Sequence, residues 1–290
     1  MSPSKRSLVT KSLAALLMPA LIATGMHPFL EGILRVRRLF AVLIYFSVCC
    51  LFVSTTASAK GTLSGNIIIT SKFLGYDLQY RVYTPDRHAT GELVPALYVT
   101  DGEEYIRNGR LHRVLDREIK SKRIRPVITI FIDARNPHDL SENRRNDQFI
   151  CNENYAKFYA FELIPAIEGS FLALPDRDAR VILGLSYGAY NAACFGFFLP
   201  DYFGGIAMQS PGKGYLVRRL IDIYGKGDKL PLKMFLSYSR KNDSSRENRA
   251  FRDVLTEQGY DLTYKKSHQG HSWSNWRPLL DDVLLTFFKE

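Results

Sequence analysis

The sequence predicts an α/β fold in which a mainly parallel β-sheet is flanked by helices. Three continuous apolar runs bounded by polar residues, at 94–100, 127–133 and 181–185, are typical of strands that are buried on both faces. Segments with apolar residues at three- and four-residue steps separate these runs, as in helices that cover one side of a sheet. Alternation of the two patterns along the chain indicates parallel strands with helices packed outside them.

The remaining elements follow from the same patterns. Residues rich in β-formers predict further strands at 66–71, 79–83, 205–209, 234–238 and 262–266. Helical spacing predicts helices at 105–119, 155–171, 249–258 and 276–288. No internal repeat or linker composition interrupts residues 60–290, so we expect this stretch to form one domain.

The first 59 residues have a different composition. A basic segment, RVRR (35–38), precedes an apolar run, LFAVLIYFSVCCLFVSTTASA (39–59), which ends in Ala-Ser-Ala. A basic region, an apolar core and a small-x-small end are the parts of a secretory signal, so we predict cleavage after Ala59 and a periplasmic or secreted protein. An uncleaved membrane anchor is the alternative, although the apolar part, roughly 15 residues, is short for a span. Met1 and Met26 both remain open as the start of translation.

Composition and charge exclude several classes of protein. The chain has 290 residues, of which 46% are hydrophobic and 23% charged, as expected of a globular protein with a sizeable core. Part of the formal net charge of +10 lies in the first 59 residues, and the densest basic run, 120–125, is short. The sequence therefore does not indicate nucleic-acid binding. No His/Cys cluster has the spacing of a metal site, so we expect neither a metal nor a cofactor.

Cys151 and Cys194 are the two cysteines that follow residue 59. Export would permit a disulfide between them. Two cysteines do not form a disulfide framework, and Cys194 falls where a buried helix residue is expected. We therefore expect two free, packed thiols.

One serine lies between two glycines at the end of a predicted buried strand, in GLSYG (184–188). The glycines let the chain turn sharply while the strand and the following helix approach each other closely. The turn leaves the hydroxyl of Ser186 above the carboxyl end of the sheet, beside the unpaired N–H groups of a helix N-terminus. This strand–turn–helix context is that of a nucleophile elbow, which makes Ser186 the candidate nucleophile.

A serine hydroxyl needs a neighbouring base, and the base needs an acid that orients it. In a fold with this elbow the chain order is serine, acid, histidine. His271 follows the last predicted strand and is the candidate base, with His268 as the alternative. Asp243, in the loop after the preceding strand, is the candidate acid. Glu247 is the alternative, as a carboxylate in the first turn of the next helix.

Two backbone N–H groups are expected to face the negative charge that develops on a carbonyl oxygen during attack. One belongs to Tyr187, the residue after the nucleophile. The other belongs to Glu103, in the segment TDGE (100–103) that follows an early strand.

These residues resemble the esterase branch of the α/β-hydrolases, which includes enterochelin esterases, esterase D and the mycolyltransferases. The resemblance covers about residues 66–288 and rests on GLSYG together with SKFLG (71–75), YRVYTP (80–85), LYVTDGE (97–103), FELIPAI (161–167), Ser210-Pro211 and GHSWSNW (270–276). It implies an α/β-hydrolase fold, with Ser186, Asp243 and His271 as the triad.

The resemblance also implies Glu103 and Tyr187 as the oxyanion hole. It makes Arg145 and Trp273 candidate substrate contacts. The expected function is a serine carboxylic ester hydrolase that acts through an acyl-enzyme on a small-molecule ester, and siderophore-type esters suit an envelope location. An acyltransferase of the same fold and a non-catalytic ligand-binding protein are the alternatives. No stable membrane partner is expected beyond export.

Overall fold

The computed structural model describes residues 60–86 and 91–290 of the chain. The predicted signal segment, 1–59, and its cleavage site lie outside the described residues. Among the helices of the described residues, none is long and apolar enough to span a membrane.

A nine-stranded sheet is the centre of the described part of the chain. Its strands and those of a separate hairpin, in chain order, are β1 (Thr62–Leu63), β2 (Ile67–Ser71), β3 (Tyr76–Thr84), β4 (Ala96–Val99), β5 (Ile128–Asp133), β6 (Arg135–Asn136), β7 (Asp139–Asn143), β8 (Arg180–Leu185), β9 (Gly205–Gln209), β10 (Lys233–Ser239) and β11 (Asp261–Ser267). The main path of the sheet runs β1-β3-β5-β4-β8-β9-β10-β11, and β2 also pairs with β3. Along this path every pair in the order β5-β4-β8-β9-β10-β11 is parallel, which confirms the predicted mainly parallel sheet.

The helices connect these strands over both faces of the sheet. They are α1 (Gly102–Glu104), α2 (Leu111–Lys120), α3 (Arg145–Phe149), α4 (Glu153–Phe158), α5 (Ile164–Ser170), α6 (Tyr187–Phe198), α7 (Gly214–Lys226), α8 (Ser245–Glu257), α9 (Trp273–Trp276) and α10 (Leu280–Phe288). Short π-helical segments, Tyr105–Gly109 and Tyr159–Leu163, follow α1 and α4.

Two hydrophobic cores lie on the two faces of the sheet, because side chains of a strand point alternately to opposite sides. Along β4, Tyr98 belongs to one core, whereas Leu97 and Val99 belong to the other. The first core contains residues of α4 to α8, and the second contains residues of α2 and α10. The continuous apolar runs of the sequence are therefore strands buried on both faces.

The predicted helix at 105–119 is interrupted. Its first part is the π-helical segment Tyr105–Gly109, and Arg110, with φ 51°, separates that segment from α2. The indole of Trp273 packs on Gly109, where an added Cβ would lie 2.8 Å from a ring carbon. The interruption thus places Gly109 in contact with Trp273, which belongs to the same loop segment as His271.

The expectation of two free thiols is wrong, because the structure pairs Cys151 and Cys194 in a disulfide. Their Cα atoms are 5.4 Å apart, although the residues are 43 positions apart in sequence. The bond joins the loop after α3 to the middle of α6, which begins at the elbow. A contact of this kind depends on how α3 packs on α6, which the spacing of two cysteines does not indicate.

Candidate active site

The elbow holds Ser186 in a conformation that only tertiary contacts can maintain. Its φ of 53° and ψ of −119° lie outside the regions favoured by non-glycine residues, at a typical cost of about 1–3 kcal/mol. Its N–H donates to the carbonyl of Gln209 over 2.9 Å, and its carbonyl accepts from the N–H of Gly212 over 3.0 Å. These bonds fix the turn between β8 and α6 on the neighbouring strand β9.

The glycines of GLSYG are required by close approach. A Cβ at Gly184 would lie 2.1 Å from the backbone of Gly188, and a Cβ at Gly188 would lie 2.4 Å from the Thr100 hydroxyl oxygen. Real Cβ atoms do not approach other atoms this closely, so either side chain would open the turn. The start of α6 therefore packs directly on the loop that follows β4.

The structure brings the three predicted triad residues together. Nε2 of His271 lies 2.9 Å from Oγ of Ser186, and Nδ1 of His271 lies 2.6 Å from Oδ1 of Asp243. The three side chains come from loops at the carboxyl ends of β8, β10 and β11, the edge of the sheet at which parallel strands present their loops together. The arrangement can pass a proton from a hydroxyl to an imidazole whose other nitrogen is held by a carboxylate.

Asp243 is fully buried and held by its own loop. Its Oδ2 accepts from the N–H of Ser239 over 2.5 Å and from the hydroxyl of Ser210 over 2.7 Å, which leaves Oδ1 to face His271. The residues on either side, Asn242 and Ser244, have φ of 51° and 45°. This double left-handed turn directs the carboxylate inward before α8 begins.

Among the described residues, neither Glu247, the alternative acid, nor His268, the alternative base, is hydrogen-bonded to Ser186 or His271. Glu247 pairs over 2.8 Å with Arg218, whose side chain is 61% exposed, so its carboxylate is engaged at the surface. His268 is exposed and makes no hydrogen bond within the part of the chain that the structure describes. The geometry therefore favours Asp243 and His271.

A buried polar network behind Asp243 was not found by sequence reasoning. The Ser210 hydroxyl, which donates to Asp243, itself accepts from the indole N–H of Trp276 over 2.9 Å and from the amide of Asn275 over 3.2 Å. The ring of Trp276 also stacks edge-to-face on His271, with centroids 4.9 Å apart. The motif GHSWSNW thus contains the candidate base and two residues that hydrogen-bond to Ser210, the serine that holds Asp243.

The two predicted oxyanion donors lie at the starts of neighbouring helices. Tyr187 is the first residue of α6 and Glu103 is in α1, and within the described residues neither backbone N–H has an acceptor. Gly102 allows this approach, because a Cβ there would lie 2.4 Å from the backbone of β5. The Glu103 side chain turns away, 3.8 Å from Arg81.

The guanidinium of Arg145 is hydrogen-bonded to two neighbouring loops. It donates to both carboxylate oxygens of Asp101, over 2.7 and 2.9 Å, and to the carbonyl of Leu185 over 3.2 Å. Asp101 precedes the segment that contains Glu103, and Leu185 precedes Ser186. The side chain therefore joins the two loops that contain the expected oxyanion donors. That Arg145 also contacts substrate stays a prediction.

Burial raises the pKa of the Asp101 carboxyl group. The hydrogen bonds and charge of Arg145 act in the opposite direction. The side chain of Asp101 is 7% exposed and that of Arg145 is 23% exposed. The pair is thus largely desolvated.

Trp273, the other candidate substrate contact, is partly exposed. Its indole packs edge-on against Tyr105 and Trp276, with centroids 5.2 and 5.6 Å apart. It forms one wall of a groove beside His271. Among the described residues, no group of three or more His, Cys, Asp or Glu side chains is placed to hold a metal ion.

The family model described as "Putative esterase" matches residues 71–216 of the chain. Its match begins at β2, includes the elbow and ends in α7, before Asp243 and His271.

Curated relatives are similar at low identity. A Bacillus subtilis protein, YjcH, is 24% identical over 229 residues, which are 74% of this chain and 92% of that protein. The iron(III) enterobactin esterase of Dickeya dadantii is 23% identical over 206 residues, which are 65% of this chain and 46% of the esterase. The chain thus spans about half the length of that esterase.

Solved structures with the same fold are also esterases. A ferulic acid esterase superposes with a TM-score of 0.67 at 19% identity, over 79% of this chain and 99% of that one. The enterobactin esterase of Shigella flexneri, in the presence of enterobactin, superposes with a TM-score of 0.69 at 22% identity, over 79% of this chain and 59% of that one. The fold is therefore that of the α/β-hydrolase-type esterases.

Proposed function

Because the chain belongs to the esterase family whose model it matches, we propose that it is a serine carboxylic ester hydrolase that acts through an acyl-enzyme. The observation that carries this proposal is the hydrogen-bonded series Ser186–His271–Asp243, with 2.9 Å between serine and histidine and 2.6 Å between histidine and aspartate.

The reaction begins when Oγ of Ser186 attacks the ester carbonyl carbon and Nε2 of His271 takes the hydroxyl proton. The carboxylate of Asp243 accepts a hydrogen bond from Nδ1 and stabilises the imidazolium that forms. The bond to the leaving alcohol then breaks, and His271 gives its proton to that oxygen. Water attacks the acyl-enzyme with His271 again as base, the carboxylic acid departs, and Ser186 regains its proton.

The N–H groups of Tyr187 and Glu103 bind the oxyanion of the tetrahedral intermediate. Both are at helix starts, where N–H groups lack intrahelical acceptors and face positive potential. Such preorganised donors typically lower the barrier by about 3–4 kcal/mol each, because they need not reorganise as charge develops.

The substrate class proposed is a small-molecule ester of the siderophore type or another small ester. Support comes from the names of relatives and neighbours, which include esterases of enterobactin, salmochelin and ferulic acid. Because the chain spans only about half of the curated enterobactin esterase, the full activity of that protein is not implied. A transferase of the same fold differs only in that an alcohol replaces water in the second step.

The nucleophile is tested with a fluorophosphonate probe and with p-nitrophenyl esters. Wild-type protein is expected to be labelled at Ser186 and to release nitrophenolate, whereas Ser186→Ala should lose labelling and about 10⁴–10⁶ of its turnover. Ser141→Ala is the matched control, because Ser141 is exposed on β7 and its hydroxyl donates a hydrogen bond to Asp139, away from the elbow. A Ser186→Ala protein that kept a tenth of the activity would exclude the mechanism.

Adding a primary alcohol during turnover distinguishes hydrolysis from transfer. Hydrolysis predicts that free acid is the main product by mass spectrometry, whereas transfer predicts that the new ester predominates. No labelling at Ser186 and no turnover of any ester would instead favour the non-catalytic alternative.

We also propose that the protein acts outside the cytoplasm. The signal-like composition of 1–59 supports this location. The Cys151–Cys194 disulfide supports it as well, since such bonds persist mainly in oxidising compartments.

A further inference from the structure

A groove with an unusual number of arginines lies beside the triad. Its volume is about 780 Å³, in the range of sites that hold small molecules. One wall is formed by Arg110, Arg113 and Arg117, which lie along α2 from its N-cap to its last turn, and the other by Trp273 and Arg277. We call this feature the arginine groove.

The arginine groove has an excess of positive charge. Arg117 is neutralised, because it pairs with Glu118 and with Asp281, the one acidic residue of the lining. Arg110, Arg113 and Arg277 are exposed, and within the described residues their side chains have neither an ion pair nor a hydrogen bond. Three unpaired guanidinium groups therefore share one opening.

The positive potential acts on a neighbouring titratable group. Burial lowers the pKa of His112, and the charges of Arg113 and Arg110 lower it further, against an opposing effect of Asp116. An anion in the groove would relieve the repulsion among these charges, and guanidinium groups bind carboxylate and phosphate oxygens in pairs of hydrogen bonds.

The groove is bounded by the two segments that form the proposed catalytic site. Gln269 and Trp273, two residues on either side of His271, lie in its lining. Asn108 and Arg110 follow the helix that contains Glu103, and Trp273 packs on Tyr105 of the same segment. The groove and the proposed catalytic site therefore share two chain segments, 103–110 and 269–273.

We propose that the arginine groove binds an oxyanionic group on the non-reacting part of the ester, so that the preferred substrates are esters bearing at least one additional carboxylate or comparable oxyanion. This inference rests on the proposed function, because it places the ester at Ser186. It adds a charge requirement that neither the elbow nor the triad imposes.

The test compares two esters of equal chain length, p-nitrophenyl pentanoate and mono-p-nitrophenyl glutarate, which differ in a terminal carboxylate. Wild-type protein is expected to favour the glutarate ester in kcat/KM by about tenfold or more, since a hydrogen bond to a charged group contributes roughly that factor. The double variant Arg113→Gln/Arg277→Gln should lose most of this preference, and added NaCl should reduce it in the wild type.

Arg125→Gln is the matched control. Arg125 is also exposed and lies before β5, at the opposite edge of the sheet from the triad, so its loss should leave the preference unchanged. Thermal melting confirms that each variant is folded. No preference in the wild type, or an equal preference in the double variant, would overturn the proposal.

A binding measurement separates this proposal from the proposed activity. Trp273 and Trp276 are the two tryptophans of the chain, so intrinsic fluorescence reports on the groove. Benzene-1,3,5-tricarboxylate should cause a saturable change in Ser186→Ala protein, with a Kd raised about tenfold or more when Arg113→Gln and Arg277→Gln are added. An unchanged Kd refutes anion binding in the arginine groove, even if ester turnover is intact. A Kd that rises when the two arginines are replaced supports anion binding there, even if no ester is hydrolysed.

Discussion

Replacement of Arg145 by methionine tests whether the guanidinium holds the two loops of the proposed oxyanion hole. Methionine keeps an unbranched apolar stem but lacks the guanidinium, so it removes three hydrogen bonds, two to Asp101 and one to the Leu185 carbonyl. The carboxylate of Asp101, 7% exposed, then has no cation beside it. Arg144→Met is the control, since Arg144 pairs with Glu142, which is 48% exposed.

The expected loss of stability follows from burial. Removing one partner of a buried ion pair costs about 3–5 kcal/mol, and the 23% exposure of Arg145 places this pair near 3 kcal/mol. For a domain of this size the melting temperature should fall by roughly 6–12 °C. Arg144→Met loses the pair with the half-exposed Glu142, a hydrogen bond to the Asp77 carbonyl and a contact with the Tyr76 ring. Together these are worth about 1–2 kcal/mol, so the melting temperature should fall by roughly 2–8 °C.

The pH dependence of the shift gives an independent check. Burial already raises the pKa of Asp101 in the folded protein, and loss of Arg145 raises it further. A group with a raised folded-state pKa contributes stability that is fully present below the unfolded-state value, 3.8, and is lost as pH rises through the folded-state value. The variant should therefore approach the wild type near pH 4 and fall increasingly behind it towards pH 8.

Calorimetric or circular dichroism melts at pH 4, 6 and 8 measure the stability, and p-nitrophenyl ester kinetics measure the activity. Displaced oxyanion donors should lower kcat about a hundredfold with a smaller change in KM. Adding Asp101→Asn to Arg145→Met should recover much of the lost stability, because a neutral amide is cheaper to bury than a carboxylate. An Arg145→Met protein that melts within 2 °C of the wild type at pH 8, or whose deficit does not grow with pH, would refute the reasoning.

Three further predictions concern the acid, the disulfide and the exported form. Asp243→Asn should lower turnover by about 10²–10⁴-fold with little change in melting temperature. Glu247→Gln should leave turnover unchanged, because the Glu247 carboxylate pairs with Arg218 at the surface. If steady-state kinetics show the reverse, Glu247 is the triad acid. Replacing Cys151 and Cys194 by alanine should lower stability by about 2–4 kcal/mol, and equal melting curves would contradict a structural disulfide. Export with cleavage after Ala59 predicts Lys60 as the N-terminus in mass spectra of the mature protein, and an intact cytoplasmic form would reject it.

The alternation of strands and helices could be predicted because it is local. A buried parallel strand is an uninterrupted apolar run, and a covering helix has apolar residues at three- and four-residue steps, whatever the rest of the chain does. The hairpin β6–β7 was missed for the same reason, since every residue of β7 is exposed and no alternation marks it. Ser186 was predictable because glycines, serine, strand and helix are all within a few residues.

The partners of the candidate site residues were decided by tertiary structure. Asp243 and Glu247 are one helical turn apart and equally acidic in the sequence, and only the left-handed turn around Asp243 directs its carboxylate to His271. Arg145 binds Asp101, 44 positions away, because β4 and β5 are neighbours in the sheet and the segments that follow these two strands meet at their carboxyl ends.

Local sequence patterns were thus enough to predict most of the strands and helices, the elbow at Ser186 and the histidine in the final loop. Tertiary structure was needed to identify the carboxylate that contacts His271, the contacts of Arg145, the Cys151–Cys194 disulfide and the hydrogen bonds that link Asp243, Ser210 and Trp276. The physical reason is that hydrophobic periodicity is a property of neighbouring residues, whereas a hydrogen bond between distant residues depends on strand order and loop packing, to which the whole chain contributes.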